Sequence, residues 1–171
     1  MRIGTIIIEE GLSDLIYKKK RETVRAIIKQ NDQILMVYSH LFNDYTFPGG
    51  GIKAQEIPEK ALQRELYEEL GAVKIEVISY LGHTEEVRYG INQTSDIYQQ
   101  ISYYYEVKII ENGEQHLIER EVLHGLEPRW IKIDDAIQHN LNVIRDEKHT
   151  QRGFKTVLIR ENEVLNTLKE K

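Results

Sequence analysis

Three glutamates occur close together in a segment that the sequence predicts to be a helix. The segment runs from Pro58 to Leu70, because proline suits the first turn of a helix and the glycine that follows suits its end. Glu65, Glu68 and Glu69 are three and four residues apart, so a helical period of about 3.6 residues brings their carboxylates onto one patch. Like charges at this spacing destabilise a helix, and a bound Mg²⁺ or Mn²⁺, which prefers carboxylate oxygens, offsets the repulsion. The helix alone leaves a second interpretation open, an acidic edge exposed to solvent.

The residues around these glutamates carry a more specific pattern. Gly50 is followed after five residues by Glu56, and seven further residues lead to the run from Arg64 to Ala72. This arrangement resembles the Nudix hydrolase signature, although Ala72 is smaller than the usual closing aliphatic residue. A chance match to all the fixed positions is of order 10⁻⁸ at one starting point. The seven matching positions are Gly50, Glu56, Arg64, Glu65, Glu68, Glu69 and Gly71.

The resemblance implies a metal-dependent hydrolase. Nudix enzymes use Mg²⁺ or Mn²⁺ to cleave the pyrophosphate link of a nucleoside diphosphate joined to another moiety, since attack at phosphorus needs neutralised phosphates and an activated water. The resemblance also implies that Arg64 orients the carboxylates, that Glu56 pairs with Arg64 and that Glu65 takes part in catalysis. A nucleotide-binding module without catalysis is the alternative, but such modules usually lack some of these carboxylates. The implied metal ligands are Gly50, Glu65, Glu68 and Glu69.

The general base is left open by the resemblance. Some family members use a glutamate of the signature and others use one from a later loop. Glu119, Glu121 and Glu127 are the later candidates, and the pair Glu85-Glu86 is another. We favour Glu119 or Glu121, because their predicted loop precedes the strand that contains the tryptophan.

Aromatic side chains are the candidates for holding a base, since their faces bind planar rings with little discrimination. Tyr89 lies 17 residues after Ala72, which resembles a tyrosine of the diadenosine-polyphosphate hydrolases in this family. The polar segment from Gly90 to Asp96 is predicted to close over the ligand. The side chains assigned to substrate binding are Tyr89, Tyr98, Phe47 and Trp130, and Tyr38 and Tyr104 are further candidates.

The elements around the signature predict an α/β (α+β) fold with a mixed β-sheet between helices, and the resemblance implies that it is a Nudix-type α/β/α sandwich. Residues 1–171 are predicted to form a single domain. The triple glycine 49–51 is predicted to interrupt regular structure, and Asn112-Gly113 to form a turn. Further helices are predicted at residues 134–140 and 154–168. Strands are predicted at residues 2–9, 23–29, 34–39, 45–47, 73–81, 97–110 and 129–133.

Composition excludes several classes of function. The chain has 23 basic and 28 acidic side chains, a formal charge of −5, which disfavours general nucleic-acid binding. It has no cysteine, so disulfides and thiol nucleophiles are excluded. No apolar run reaches the ~18 residues of a membrane span, and no secretion signal is evident, so we expect a cytoplasmic protein with a small-molecule partner.

The sequence gives no oligomeric state, and a homodimer is one possible assembly. The basic run Lys18–Arg21 is either a solvated face or an attraction for a polyanionic substrate.

Overall fold

The structure is a computed structural model that describes residues 1–13, 17–91, 95–146 and 153–171. Nine strands and four helices lie within these ranges. The helices are α1 (Pro58–Leu70), α2 (Glu119–His124), α3 (Ile133–Arg145) and α4 (Phe154–Lys169). The strands are β1 (Ile7–Ile8), β2 (Lys19–Ile27), β3 (Lys29–Gln30), β4 (Gln33–Ser39), β5 (Asp44–Thr46), β6 (Gly49–Gly51), β7 (Ala72–Tyr89), β8 (Ile97–Asn112) and β9 (Leu126–Lys132).

The strands form two sheets. The larger sheet has the order β1-β7-β8-β2-β6, and β4 pairs with β3, β5 and β9 in the smaller one. The larger sheet is mixed, because β1 runs parallel to β7 and β2 parallel to β8, whereas the other neighbours are antiparallel. This agrees with the predicted mixed sheet.

Helix α1 covers one face of the larger sheet and has the bounds that the sequence predicts. Pro58 lies at its start, and the Ile57 side chain provides no cap. Gly71 ends it in the left-handed conformation at φ 71°, where its N–H reaches the last carbonyls of the helix. Leu62 and Leu66 are fully buried in one cluster with alternate residues of β2, so the leucine stripe fixes α1 on the sheet.

Helices α3 and α4 cover the opposite face. Leu165 and Ala136 from these helices lie in one buried cluster with Ile27 and Tyr104 from the strands and with Phe47, which follows β5. The helices on both sides of the strands confirm the predicted α/β/α sandwich. Within the described ranges, no helix is both long enough and apolar enough to cross a membrane.

The triple glycine differs from the prediction, because Gly49–Gly51 forms strand β6 rather than interrupting regular structure. Its backbone pairs with β2, with Gly49 opposite Arg25. Gly49 has φ 142°, and a Cβ there would lie 2.0 Å from the carbonyl oxygen of Val24. A larger residue cannot approach β2 so closely, so glycine is required by the pairing.

Three further boundaries also differ. The N-terminal strand is limited to β1, with one isolated bridge at Arg2. Asn112-Gly113 ends β8 without starting a hairpin, because the Gly113 N–H bonds to the carbonyl of Gly71 instead. Glu119 and Glu121 lie in the short helix α2, where a loop was predicted.

Candidate active site

Arg64 connects the loop before α1 to the acidic face of that helix. Its Nε and Nη2 donate to the two carboxylate oxygens of Glu56 at 2.9 and 2.8 Å, and Nη2 also donates to the carbonyl of Gly51 at 2.9 Å. Its Nη1 donates to Glu65 at 2.7 Å. The hydrogen bonds from Arg64 lower the pKa of Glu56 to about 2, so this carboxylate stays ionised at neutral pH. The predicted Glu56–Arg64 pair is therefore present, and it also holds Glu65.

Three carboxylates converge next to this pair. Glu65, Glu68 and Glu121 each place one oxygen within 4.8 Å of the others, the first two from α1 and the third from α2. Glu65 and Glu121 are buried, and Glu68 is partly buried. Burial raises the pKa of Glu68, and the charges of Glu65 and Glu121 raise it further. Such a set of oxygen donors fits Mg²⁺ or Mn²⁺, because a divalent cation would remove the repulsion among the carboxylates.

Gly50 lies directly against one member of this cluster. A Cβ built on Gly50 would lie 2.5 Å from the Cδ of Glu65, so a side chain at position 50 would force this carboxylate to move. The Glu65 carboxylate can therefore occupy its observed position because residue 50 has no side chain. The absence of a side chain also leaves the backbone of Gly50 next to the carboxylates, where the sequence predicts a carbonyl ligand.

Glu69 lies apart from this three-oxygen cluster. Its Oε2 accepts a hydrogen bond from the N–H of Gly49 at 3.1 Å, and the side chain is buried. Burial raises the pKa of Glu69 well above its ordinary value, whereas the nearby charge of Arg25 opposes the shift. Glu69 connects α1 to β6 and lines the same cleft, and its role as a metal ligand stays a prediction.

These groups line a cleft of about 480 Å³. The signature residues from Gly49 to Glu69 form one part of its wall, and α2 and α4 contribute further side chains. The cleft is large enough for a small phosphorylated molecule. Its polar lining includes both the acidic cluster and several arginines.

Of the predicted substrate-binding tyrosines, Tyr98 lines the cleft. Its ring centroid lies 5.9 Å from the guanidinium carbon of Arg88. Tyr89 ends β7 and is half-buried, and the adjacent Gly90 lines the cleft. The predicted closing segment spans Gly90 to Asp96, but residues 92–94 lie outside the described residues. At its described ends, the Gly90 N–H donates to the carbonyl of Asp96 at 3.0 Å.

Two of the predicted aromatic contacts are not supported. Phe47 is fully buried, and its ring packs edge-on against Tyr104 with centroids 5.5 Å apart, so neither ring has a face free for a substrate. Trp130 lies on β9, opposite Leu35 of β4. It is not among the described residues that line the cleft. The sequence shows that these residues are aromatic but not whether each side chain lies in the core or at the cleft.

The candidates for the general base are separated by their positions. Of the described residues, Glu121 lines the cleft, whereas Glu119, which is exposed at the start of α2, does not. Glu127 is exposed and pairs with His40 at 2.8 Å. The last two, Glu85 and Glu86, pair with His83 and Arg160.

Sequence reasoning missed a group of arginines in this cleft. They come from four distant elements, so no local spacing reveals them. The one signal was the basic run Lys18–Arg21, whose last member faces the cleft. The group comprises Arg21 and Arg25 on β2, Arg88 on β7, Arg120 on α2 and Arg160 on α4.

Comparison with known proteins agrees with this geometry. Residues 19–153 match the model of the NUDIX domain. The chain is 32% identical over 123 residues to diphosphoinositol polyphosphate phosphohydrolase 2 of Rattus norvegicus, which covers 71% of this chain and 62% of the rat protein. It is 30% identical to diphosphoinositol polyphosphate phosphohydrolase 3-alpha of Mus musculus, over 71% of this chain and 68% of the mouse protein. The chain therefore belongs to the NUDIX family, and it spans less than two thirds of the length of the rat relative.

Solved structures support the same fold. A UDP-X diphosphatase superposes with a TM-score of 0.53 at 16% identity, over 91% of this chain and 65% of that one. A NUDIX hydrolase from Nitrosomonas europaea also gives 0.53, at 18% identity, over 85% of this chain and 90% of that one. At these identities the likeness is evidence for the fold alone.

Proposed function

We propose that this protein is a hydrolase that uses Mg²⁺ or Mn²⁺ to cleave the diphosphate linkage of a small nucleotide-type substrate. The observation that carries the proposal is the convergence of Glu65, Glu68 and Glu121 within 4.8 Å, beside a glycine strand and an arginine that fixes Glu65. The family membership supports it, because the curated relatives are named phosphohydrolases. We further propose that residues 1–171 act as one domain in the cytoplasm.

Each polar group near the cluster has a distinct role in this proposal. Glu65, Glu68 and Glu121 would hold the metal, with Glu69 and the Gly50 carbonyl as the further ligands predicted from the sequence. When bound, the metal would neutralise phosphate charge and make an adjacent water more acidic. Arg64 orients Glu65 through a 2.7 Å hydrogen bond and is itself held by Glu56.

The proton of the attacking water needs an acceptor in the cleft. Glu121 is better placed than Glu119, because its carboxylate lies in the acidic cluster while Glu119 is exposed outside it. Glu65 is the alternative within the signature. We therefore propose that Glu121 has two roles, in which one carboxylate oxygen would hold the metal and the other accepts this proton, and that Glu65 mainly binds metal.

A binding module without catalysis is the competing function. A module of that kind needs no set of converging carboxylates, and a set of three carries a cost in repulsion unless a cation is bound. In this chain all the signature carboxylates are present, and an arginine network holds one of them in place. These observations favour catalysis.

The decisive experiment is a substrate panel with wild type and Glu68→Gln. The panel contains nucleoside triphosphates, nucleotide sugars, ADP-ribose, dinucleoside polyphosphates and a diphosphoinositol polyphosphate, each with Mg²⁺ or Mn²⁺. Phosphate and pyrophosphate release are measured separately, since they report which linkage is cleaved. We expect metal-dependent turnover of at least one compound by the wild type and its loss in the variant. Equal turnover by both proteins, or ligand binding without turnover across the panel, contradicts the proposal.

A further inference from the structure

Besides Arg64, five arginines from four elements line the same cleft as the acidic cluster. Arg21 and Arg25 lie on the same face of β2, because they are four residues apart in a strand. Arg88 comes from β7 on the far side of β8, while Arg120 and Arg160 come from helices α2 and α4. Their combined charge has to be balanced by the surrounding side chains or by a ligand.

Three of these arginines have partners within the protein. Arg160 is buried and pairs with Glu86 at 2.6 Å and with Glu161. Arg88 lies 3.5 Å from Glu86 and donates to Gln100 at 2.6 Å.

The third, Arg25, donates to the carbonyls of Phe47 at 3.0 Å and Gly49 at 3.3 Å. The Arg25 charge also acts on the buried carboxyl of Glu69. The guanidinium groups of these three arginines are therefore held in fixed positions.

Arg21 differs, because its guanidinium has no ion pair or hydrogen bond within the described part of the chain, and its Nε is buried without a partner. Its strand neighbours Lys19 and Lys20 both have partners, Asp96 at 3.0 Å and Glu22 at 3.3 Å. Burial, together with the nearby positive charges of Arg88 and the other arginines, lowers the pKa of Arg21 to about 10. A half-buried cation in this environment lacks a counter-charge.

The position of Arg21 places it beside the signature. Its Nη2 lies 3.9 Å from the point where a Cβ on Gly51 would be, next to the strand that approaches Glu65. Arg120 is adjacent in sequence to Glu121, is exposed, and likewise has no ion pair among the described residues. Both unpaired guanidinium groups thus border the proposed metal site. A guanidinium with free N–H groups matches the oxygens of a phosphate, which it can bind through two parallel hydrogen bonds.

We propose that Arg21 and Arg120, supported by Arg25 and Arg88, form an anion subsite that binds a phosphate group of the substrate without the metal. The inference rests on the proposed function of the cleft and narrows its substrate class. The metal would hold the diphosphate that is cleaved, and the arginines hold a further phosphate. The preferred substrates therefore carry at least one phosphate group in addition to the scissile diphosphate.

Metal-free binding of inorganic tripolyphosphate tests this subsite. Isothermal titration in buffer with EDTA measures its dissociation constant for the wild type, Arg21→Gln and Arg120→Gln. We expect each variant to bind about tenfold more weakly or worse, as expected for the loss of a charged hydrogen-bond donor. Lys29→Gln, which removes the same charge from an exposed position on β3, should bind like the wild type.

Glu68→Gln separates this inference from the proposed function. In EDTA this variant should bind tripolyphosphate at least as tightly as the wild type, since it removes a negative charge from the cleft, while its metal-dependent turnover is lost. If it retains turnover, the proposed function fails and the subsite is judged by the binding data alone.

Equal affinity of wild type, Arg21→Gln and Arg120→Gln overturns the subsite whatever the turnover. So does the absence of tripolyphosphate binding by the wild type at millimolar concentration. Arg120→Gln alters an exposed side chain, so it provides a test even if Arg21→Gln folds poorly.

Discussion

Glu56 and Arg64 are eight residues apart in the chain and are joined by two parallel hydrogen bonds of 2.9 and 2.8 Å. One residue precedes α1 and the other lies within it, so the pair fastens the loop to the helix. Arg64 also donates a hydrogen bond to Glu65. Glu56 therefore affects the orientation of the Glu65 carboxylate indirectly, through Arg64.

We expect Glu56→Gln to lower both turnover and stability at neutral pH. The pKa of Glu56 is about 2 in the folded protein, below its ordinary value of 4.5. A lowered carboxyl pKa stabilises the fold above about pH 4.5, and this stabilisation is lost as the pH falls towards 2. The difference in unfolding free energy between wild type and variant should therefore shrink over that range. Denaturant melts at several pH values measure it, and Glu59→Gln, an exposed change on the same helix, should show no such trend.

Glu68→Gln should keep the fold and remove most activity. A metal supplies several kcal/mol of stabilisation to the reacting phosphate, so the loss of one ligand should reduce turnover about a hundredfold or more. The pKa of Glu68 is raised by burial and by neighbouring carboxylates, so its ionised form destabilises the folded protein at pH 7. The metal-free variant should melt at the same temperature as the wild type or higher. A clearly lower melting temperature, or unchanged turnover at saturating Mg²⁺, contradicts the assignment.

Divalent cations should raise the melting temperature of the wild type. At a free metal concentration of about one hundred times the dissociation constant, binding adds about 2.7 kcal/mol, which corresponds to roughly 5–10 °C for a chain of this size. Changing Glu65, Glu68 and Glu121 together to glutamine should abolish the shift, because these three carboxylates converge. Glu119→Gln is the matched control on α2. A shift that survives in the triple variant places the metal elsewhere.

Gly50→Ala should reduce turnover strongly, whereas Gly51→Ala should not. A Cβ at position 50 would lie 2.5 Å from the Cδ of Glu65, so the carboxylate has to move. The nearest atom to a Cβ at position 51 is Nη2 of Arg21 at 3.9 Å, which is an ordinary contact. Turnover of the two variants with Mg²⁺ compares them directly. Similar losses in both would mean that the glycines serve the backbone of β6 and not the position of Glu65.

Local signals account for what the sequence predicts well. Helix α1 has its predicted bounds because Pro58, Gly71 and the leucine stripe all lie within the segment that they define. The Glu56–Arg64 pair is likewise close in sequence and belongs to a spacing that the family signature fixes. These features need no knowledge of distant parts of the chain.

Features that depend on packing between distant segments are harder to predict. Glu121 joins Glu65 and Glu68 because of the position of α2, which a loop prediction did not provide. Phe47 was assigned to substrate from its residue type, but its side chain is fully buried in the core. The arginines come together only because strands and helices that are far apart in sequence pack side by side. The basic run Lys18–Arg21 contains one of them, Arg21.

Strand β2 separates two environments by the alternation of its side chains. Val24 and Ala26 pack under α1, whereas Arg21 and Arg25 face the cleft on the other side. A single residue inserted between Arg21 and Val24 would reverse the faces on one side of the insertion and direct Arg21 towards the leucines of α1. Single substitutions along β2 should therefore change stability or binding by amounts that depend on the side chain replaced. A change in the length of β2 by one residue should instead abolish folding or the cleft. The length of this strand is therefore more constrained than its composition.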